Sequence, residues 1–470
     1  MMSAEPVNGA DAAWLRLDSP SNLLVITALA ATETMSLAAF REVVAQRFLS
    51  FQRFRYRPAL HSGMYFWEDH TEFALEQHVI PVSLPAPGNK ASLETFVSEM
   101  MSTPLPADRP LWQFLFIERY QGGSAVIMRV HHCYADGLSL VAVFGTLTDA
   151  TPVAQWSQPE IGHEGRSRHL SQRFSQGLRG LIRSAEKATR LQYRMEDPPT
   201  ELLGCATRPA AWQTGLEGVA ELVRLAALPG DPATFLKPGP GVLKHCAWTG
   251  KVPLETFKAV ADALGCRIND VLVSIVCAGL RRELVKRQTI HPDGLLHATL
   301  PVNLRALEEE LEVFPLGNQF GTVFVPLSVG LQNPLERLYK TKHDMISLKQ
   351  SSLPLWSHWV MGLTGMLPRG WQAPVLDLFS NKTSLVLSNV PGSRTHRFLA
   401  GRKVHELMFW VPQAGDLCLG VSLLSYAGSV QLGVSADVGL AMAPRELLDA
   451  MLAELQAYCD LARVGNVKES

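Results

Sequence analysis

The sequence predicts a two-domain α/β protein in which each domain is an α+β sandwich. Three observations lead there. At 470 residues the chain exceeds what one ordinary hydrophobic core organises. Both halves alternate strand-like apolar runs with helical 3–4 spacing. Between them lies a stretch rich in proline and glycine (Pro198-Pro199, Pro229-Gly230, Pro238-Gly239-Pro240-Gly241) that reads as a crossing between domains. The expected units are 1–160, a crossing at 161–241, and 242–470.

In chain order, Asn22 to Ala31 reads as a buried strand. Ser36 is the natural N-cap of a helix over Leu37 to Phe48, whose Leu37, Phe40, Val43 and Val44 share one face. Phe51 to Arg57 (FQRFRYR) alternates aromatic and basic residues, as a half-exposed strand does. Ser92 to Met101 is an amphipathic helix. Trp112 to Tyr120 and Ser124 to Val130 are strands joined by the hairpin loop Gln121-Gly122-Gly123. Leu138 to Leu147 is a buried helix. In the second half, helices are expected at Leu254–Leu264 and from Asn269 to Leu284, then a strand at Leu296–Val302 and a helix at Asn333–Gln350. Lys403 to Val438 supplies alternating strands broken at Gly415, Gly428 and Gly433, and Pro444 to Ala462 closes the chain as an amphipathic helix.

Composition narrows the function. Hydrophobic residues make up 47% and charged residues 19%, and the net charge is −1, which carries no nucleic-acid signal. Seven cysteines at 133, 205, 246, 266, 277, 418 and 459 show no metal-ligand spacing and suggest free thiols in a reducing compartment. The N-terminus has neither a basic flank nor an apolar core, and no apolar run reaches the ~18 residues of a spanning helix, so a cytoplasmic location is expected. No GxSxG, Walker A, dinucleotide glycine fingerprint or HExxH occurs, and no metal is expected.

The richest signal is His131 to Gly137, HHCYADG, placed where a strand ends and a helix begins. Neutral imidazole can take a proton from a hydroxyl and return it within one cycle. Strand neighbours point to opposite faces, so only one of the two histidines can face a given cleft. Asp136 can orient a ring or hold the loop, and Gly137 permits a sharp turn. A lone histidine beside an apolar strand is more often a core residue. The full spacing H-H-x-x-x-D-G arises by chance on the order of once in a thousand such chains.

HHCYADG resembles the HHxxxDG signature of acyltransferases built like chloramphenicol acetyltransferase. The surrounding motifs resemble those of bacterial wax ester synthase/diacylglycerol acyltransferases. Pro110-Leu111-Trp112 is similar to that family's PLW motif, and Asn269-Asp270 within Cys266–Leu280 to its ND motif. Pro301-Val302-Asn303-Leu304-Arg305, Gly317-Asn318-Gln319 and Ser388-Asn389-Val390-Pro391-Gly392 recur in the family's order, and Asp11 to Leu29 is similar to its first strand. No DFGWG is present, unlike the plant-type enzymes. The resemblance covers nearly the whole chain. It implies two chloramphenicol acetyltransferase-like domains, with the active site and an apolar tunnel at their interface and no base in the second domain. It further implies transfer from long-chain acyl-CoA, a substrate, to a fatty alcohol or diacylglycerol, with no cofactor.

On this reading His132 is the proton acceptor, with His131, Asp136 and Gly137 supporting it. Asn269 is expected across the cleft, facing the substrate carbonyl or the acceptor; the alternative is that it simply caps its helix. Asp270, Pro110, Leu111, Trp112, Asn389, Pro391 and Gly392 are expected to shape the substrate cleft, with a core-anchor role as the alternative for Trp112. Arg166 to Arg194 combines basic residues with an apolar stripe and is expected to lie on an anionic membrane or lipid inclusion, unless the stripe packs on its own domain. Two other functions are open at this level: condensation on a carrier-bound or polyketide substrate, and non-catalytic lipid binding.

Overall fold

The computed structural model describes residues 5–153, 230–232, 234–290, 294–303, 316–318, 320–349, 357 and 380–463. The basic segment Arg166 to Arg194 and most of the interdomain crossing lie outside the described residues. The strands are β1 Glu5–Pro6, β2 Val25–Thr32, β3 Tyr56–His61, β4 Met64–Asp69, β5 Val79–Val82, β6 Trp112–Tyr120, β7 Gly123–His131 and β8 Thr148–Asp149 in the first half. The second half holds β9 Lys244–Trp248, β10 Val252–Pro253, β11 Leu296–Asn303, β12 Phe320–Leu327, β13 Leu385–Pro391, β14 Phe398–Leu399, β15 Arg402–Trp410, β16 Leu419–Tyr426 and β17 Ser429–Asp437. They form two large sheets and a small one of order β1-β4-β3.

The first sheet runs β5-β6-β7-β2-β15-β14-β8. Its centre, β2, is buried at every position, which explains the unbroken apolar run VITALAAT: a strand covered on both faces has no polar side to show. Alternation along β6 divides the packing. Phe114 and Phe116 join the core beneath the helix Leu37–Gln46, and Leu115 and Ile117 join the core beneath the helix Lys90–Met101. The β6–β7 hairpin turns through Gln121 and Gly122, both at positive φ, the geometry a two-residue turn needs between right-twisted strands. The second sheet runs β10-β17-β16-β13-β11-β12, with β9 also on β17, and the helices Leu254–Ala263, Ile268–Lys286 and Pro444–Ala462 share its hydrophobic core.

The sheets bear out the mixed α/β class and correct four expectations. Residues 242–470 do not form a self-contained second domain. β15 leaves the second half and pairs antiparallel with β2, from Val404↔Thr32 to Trp410↔Thr27, and β14 pairs with β8. Without them β2 would be an open edge, and pairing that edge is the physical reason for the crossing. Gly433 does not break a strand: it lies inside β17, where an added Cβ would stand 2.2 Å from Met408 Cε of the crossing strand. Phe51 to Arg57 is mostly one tight turn of helix, Gln52–Arg55, and extended backbone begins only at Tyr56. The segment likened to a first strand opens with the helix Gly9–Leu17. Among the described residues no single helix is long and apolar enough to cross a membrane.

A buried ion pair ties the halves beside β9. Lys244 Nζ meets Asp437 and donates to the Ser21 carbonyl at 3.0 Å, while Asp437 Oδ2 accepts the Gly241 amide at 2.7 Å. Charges this deeply buried persist only when paired and hydrogen-bonded, as these are.

Candidate active site

β7 ends at His131, and the next five residues turn the chain into the helix Gly137–Thr146. Backbone hydrogen bonds to neighbouring segments hold that turn. The His131 amide donates to the Leu111 carbonyl at 3.0 Å, the His132 amide to the Leu24 carbonyl at 2.8 Å, and the Tyr134 amide to the His131 carbonyl at 3.2 Å. Tyr134 Oη donates to the Tyr56 carbonyl and accepts the Leu111 amide. Asp136 is the helix N-cap, its Oδ1 accepting the Ser139 amide at 2.8 Å. Removing that cap (Asp136→Ala) is expected to cost about 1 kcal/mol of stability, read as a shift in the denaturant midpoint.

The two histidines diverge because His132 lies in the turn rather than in the strand. His131 is buried, and its Nδ1 accepts the Cys133 amide at 3.1 Å. His132 faces the cavity between the halves. Trp14 stacks on its ring at a centroid distance of 4.2 Å, and Phe320 of β12 lies at 5.8 Å. Its Nδ1 is 2.8 Å from Asn318 Oδ1.

The orientation of Asn318 fixes the tautomer. Asn318 Nδ2 donates to Asp11 Oδ1 at 2.7 Å and to the His132 carbonyl at 2.8 Å; both partners are acceptors, so the amide cannot be turned round. Its Oδ1 therefore accepts, Nδ1 of His132 carries the proton, and Nε2 keeps a free lone pair. Asp11 is anchored in turn. Oδ1 also accepts the Asn318 amide at 3.0 Å, Oδ2 accepts Asn8 Nδ2 at 2.7 Å, and Arg53 stands 3.6 Å away. Gly317, at φ +127, supplies the left-handed backbone that delivers Asn318.

Burial sets the electrostatics. Loss of hydration pushes His132 down to about 4, partly countered by the Asp136 carboxylate, so the imidazole is neutral at physiological pH. Burial pushes the Asp11 carboxyl up to about 6 against the pull of Arg53 and its hydrogen bonds. The Cys133 thiol is pushed well up by burial and stays protonated, unsuited to act as a nucleophile.

The cavity measures about 450 Å³, within the range of small-molecule sites, and its walls are mainly apolar. Both halves contribute: Ile26, Ala28 and Leu140 from one, Phe320, Asn389 and Gly392 from the other. Several expected cleft residues stand elsewhere. Trp112 is a core anchor, 1% exposed, stacked on His78 at 4.3 Å and donating to the Phe54 carbonyl. Leu111 supports the histidine turn through its backbone, and neither it nor Pro110 lines the cavity. Pro391 does not line the cavity, whereas Asn389 and Gly392 do. Asn269 is outside the lining as well, its Oδ1 accepting Asn389 Nδ2 at 2.9 Å from behind β13. It does not cap its helix: Arg267 is the N-cap, and Asp270 does the capping through Oδ2, which accepts the Arg267 amide at 2.9 Å. Asp270 is thus a structural carboxylate because its side chain folds back onto its own helix start. Asn318 was visible only as part of a motif. Its contact with His132 spans 186 residues, and no local pattern reveals that.

A neutral, tautomer-locked histidine on a turn between strand and helix, opening on an apolar cavity shared by two sheets, is an arrangement that suits acyl transfer to a hydroxyl. The fold agrees. A wax ester synthase/diacylglycerol acyltransferase from Marinobacter aquaeolei superimposes with a TM-score of 0.69 at 21% identity, over 98% of this chain and 100% of that one. The first condensation domain of the calcium-dependent antibiotic synthetase gives 0.61 at 12% identity, over 100% and 99%. The family follows from sequence. The wax ester synthase/diacylglycerol acyltransferase catalytic domain matches residues 7–272 and the family's C-terminal domain residues 316–458, so the chain belongs to that family and is an O-acyltransferase. A putative diacylglycerol O-acyltransferase of Mycobacterium tuberculosis is 27% identical over 97% of both chains. A probable diacylglycerol O-acyltransferase of the same species is 26% identical over 88% of this chain and 86% of its own length.

Proposed function

We propose that the protein transfers the acyl group of a long-chain acyl-CoA to the hydroxyl of a fatty alcohol or diacylglycerol, giving a wax ester or triacylglycerol and free CoA. The observation that carries this is the Asn318-locked His132, whose ring opens on an apolar cavity. The acceptor hydroxyl gives its proton to His132 Nε2 as its oxygen attacks the thioester carbonyl. The tetrahedral oxyanion then collapses, the C–S bond breaks, and the CoA thiolate takes the proton back from Nε2. No covalent enzyme intermediate is required, because the thioester is already activated. As Nε2 gains its proton, the Nδ1–H bond to Asn318 holds the ring in place, and Asp136 is the nearby carboxylate that favours the charged form.

The test offers purified protein lauroyl- or palmitoyl-CoA with hexadecanol or dipalmitoylglycerol and follows ester and free thiol together. Equimolar release of both supports the reading; acyl-chain binding with no thiol release defeats it. The pH dependence is a second check. Protonating His132 removes the base, so the main loss of kcat/KM should come as pH approaches about 4, below the smaller step that protonation of Asp11 near 6 would add. An acid limb centred at 6.5 would contradict the assigned base.

A further inference from the structure

The cavity has a directional arm that the proposed reaction leaves unassigned. The helix Gly137–Thr146 starts beside His132 and runs back over the first sheet parallel to β2, because β7 ends at the histidines and β2 pairs antiparallel with it, Val25 opposite His131. Its inner residues Leu140 and Phe144 roof the arm. The floor is the alternating face Ile26, Ala28 and Ala30 of β2, flanked by Leu407 and Phe409 of β15. Two alanines in succession at the centre of a sheet leave a trough where larger side chains would fill the gap. Both large residues on β15 stay partly accessible in mid-sheet because they face this space.

The far end is closed by polar groups. Arg397 Nε donates to Thr148 Oγ1 at 3.1 Å, and Nη2 donates to the carbonyls of Thr148 at 2.6 Å and Gly145 at 3.2 Å, at the C-terminal end of the same helix. Tyr426 Oη accepts the Arg397 amide and donates to the Val404 carbonyl. A methyl terminus gains nothing from a guanidinium held in this way, so an alkyl chain stops there.

We propose that this arm is the acyl slot of the donor and that Arg397 sets its length. The inference rests on the acyltransferase reading above. A single unbranched chain fits a trough one alanine wide, whereas diacylglycerol brings two chains on a branched head. The ten-residue helix roof spans about 15 Å, and the floor from Ile26 to Ala30 about 13 Å. An extended alkyl chain advances ~1.3 Å per carbon, from a ~1.5 Å bond at the tetrahedral angle. The arm therefore holds roughly ten to twelve carbons, with the carbonyl beside His132.

The experiment measures kcat/KM for octanoyl-, lauroyl- and palmitoyl-CoA at fixed hexadecanol, and then the alcohol-length profile at fixed lauroyl-CoA. Each methylene withdrawn from the slot changes binding about fourfold. Ala30→Phe blocks the distal third, so the lauroyl-to-octanoyl ratio should fall by roughly 60-fold, the product of three such steps. Arg397→Ala opens the end, so the palmitoyl-to-lauroyl ratio should rise. Because the two substitutions move selectivity in opposite directions, loss of fold in one leaves the other as the test, with thermal melting reporting on each. Ratios that do not move in either variant, or a shift confined to the alcohol profile, overturn the slot. A wild-type protein that releases no thiol from any acyl-CoA overturns instead the reading on which the slot rests.

Discussion

Alanine in place of His132 is expected to lower ester formation by ~10² to 10⁴-fold, the usual contribution of a positioned general base. Thiol release from acyl-CoA measures it directly. The variant should remain folded, because the turn is held by backbone bonds from Leu111 and Leu24 that do not involve the ring. His131→Ala provides the contrast. Its ring accepts the Cys133 amide and faces away from the cavity, so the expected loss is in stability rather than in kcat. Near-normal turnover in His132→Ala together with a dead His131→Ala would reverse the assignment.

The second large effect is expected at Asn318. Asn318→Ala removes the acceptor that holds His132 Nδ1–H, so the ring is free to rotate and to place its proton on Nε2, where it cannot serve as a base. A fall in kcat of about 100-fold with little change in KM is expected, the scale at which outer partners of functional histidines matter. Asn318→Asp should not rescue, since it would set a carboxylate against Asp11 Oδ1, now 2.7 Å from Nδ2. Asp11→Asn should weaken the same chain one bond further out. If the groups work as one unit, the double variant Asp11→Asn/Asn318→Ala will be no slower than Asn318→Ala alone. Fully additive losses, or a KM effect without a kcat effect, would remove Asn318 from the machinery.

What was legible in the sequence was whatever short-range chemistry writes. The hairpin through Gln121-Gly122, the Ser36 cap, the helix after Asp136 and the closing helix Pro444–Ala462 all follow from neighbouring residues, and the structure places them as expected. The family motifs marked the right region of the cleft at Asn389 and Gly392. Long-range pairing was not legible. The alternation of Arg402 to Trp410 announces a strand but not which sheet it joins, since the same apolar side chains would satisfy either core. Asn269 and Asn318 look alike in sequence, each beside an apolar run. Only the fold shows that one lies behind β13 and the other grips the imidazole. Leu111 and Trp112 illustrate a third limit, because a residue that builds a site from behind is as constrained as one that touches substrate.

The crossing strand also bears on how the protein is made. β2 has β7 on one side soon after synthesis, but its other partner, β15, ends at Trp410, roughly 280 residues after His131. At ordinary rates of translation, that delay is on the order of 15 to 60 s. For that interval an eight-residue strand, apolar on both faces, stands with one edge unpaired on a nascent chain, the kind of surface that invites pairing with the wrong neighbour. His132, too, lacks its Asn318 partner until that residue has left the ribosome. Cutting the gene between its two halves would therefore part β2 from β15, and neither half is expected to mature without the other.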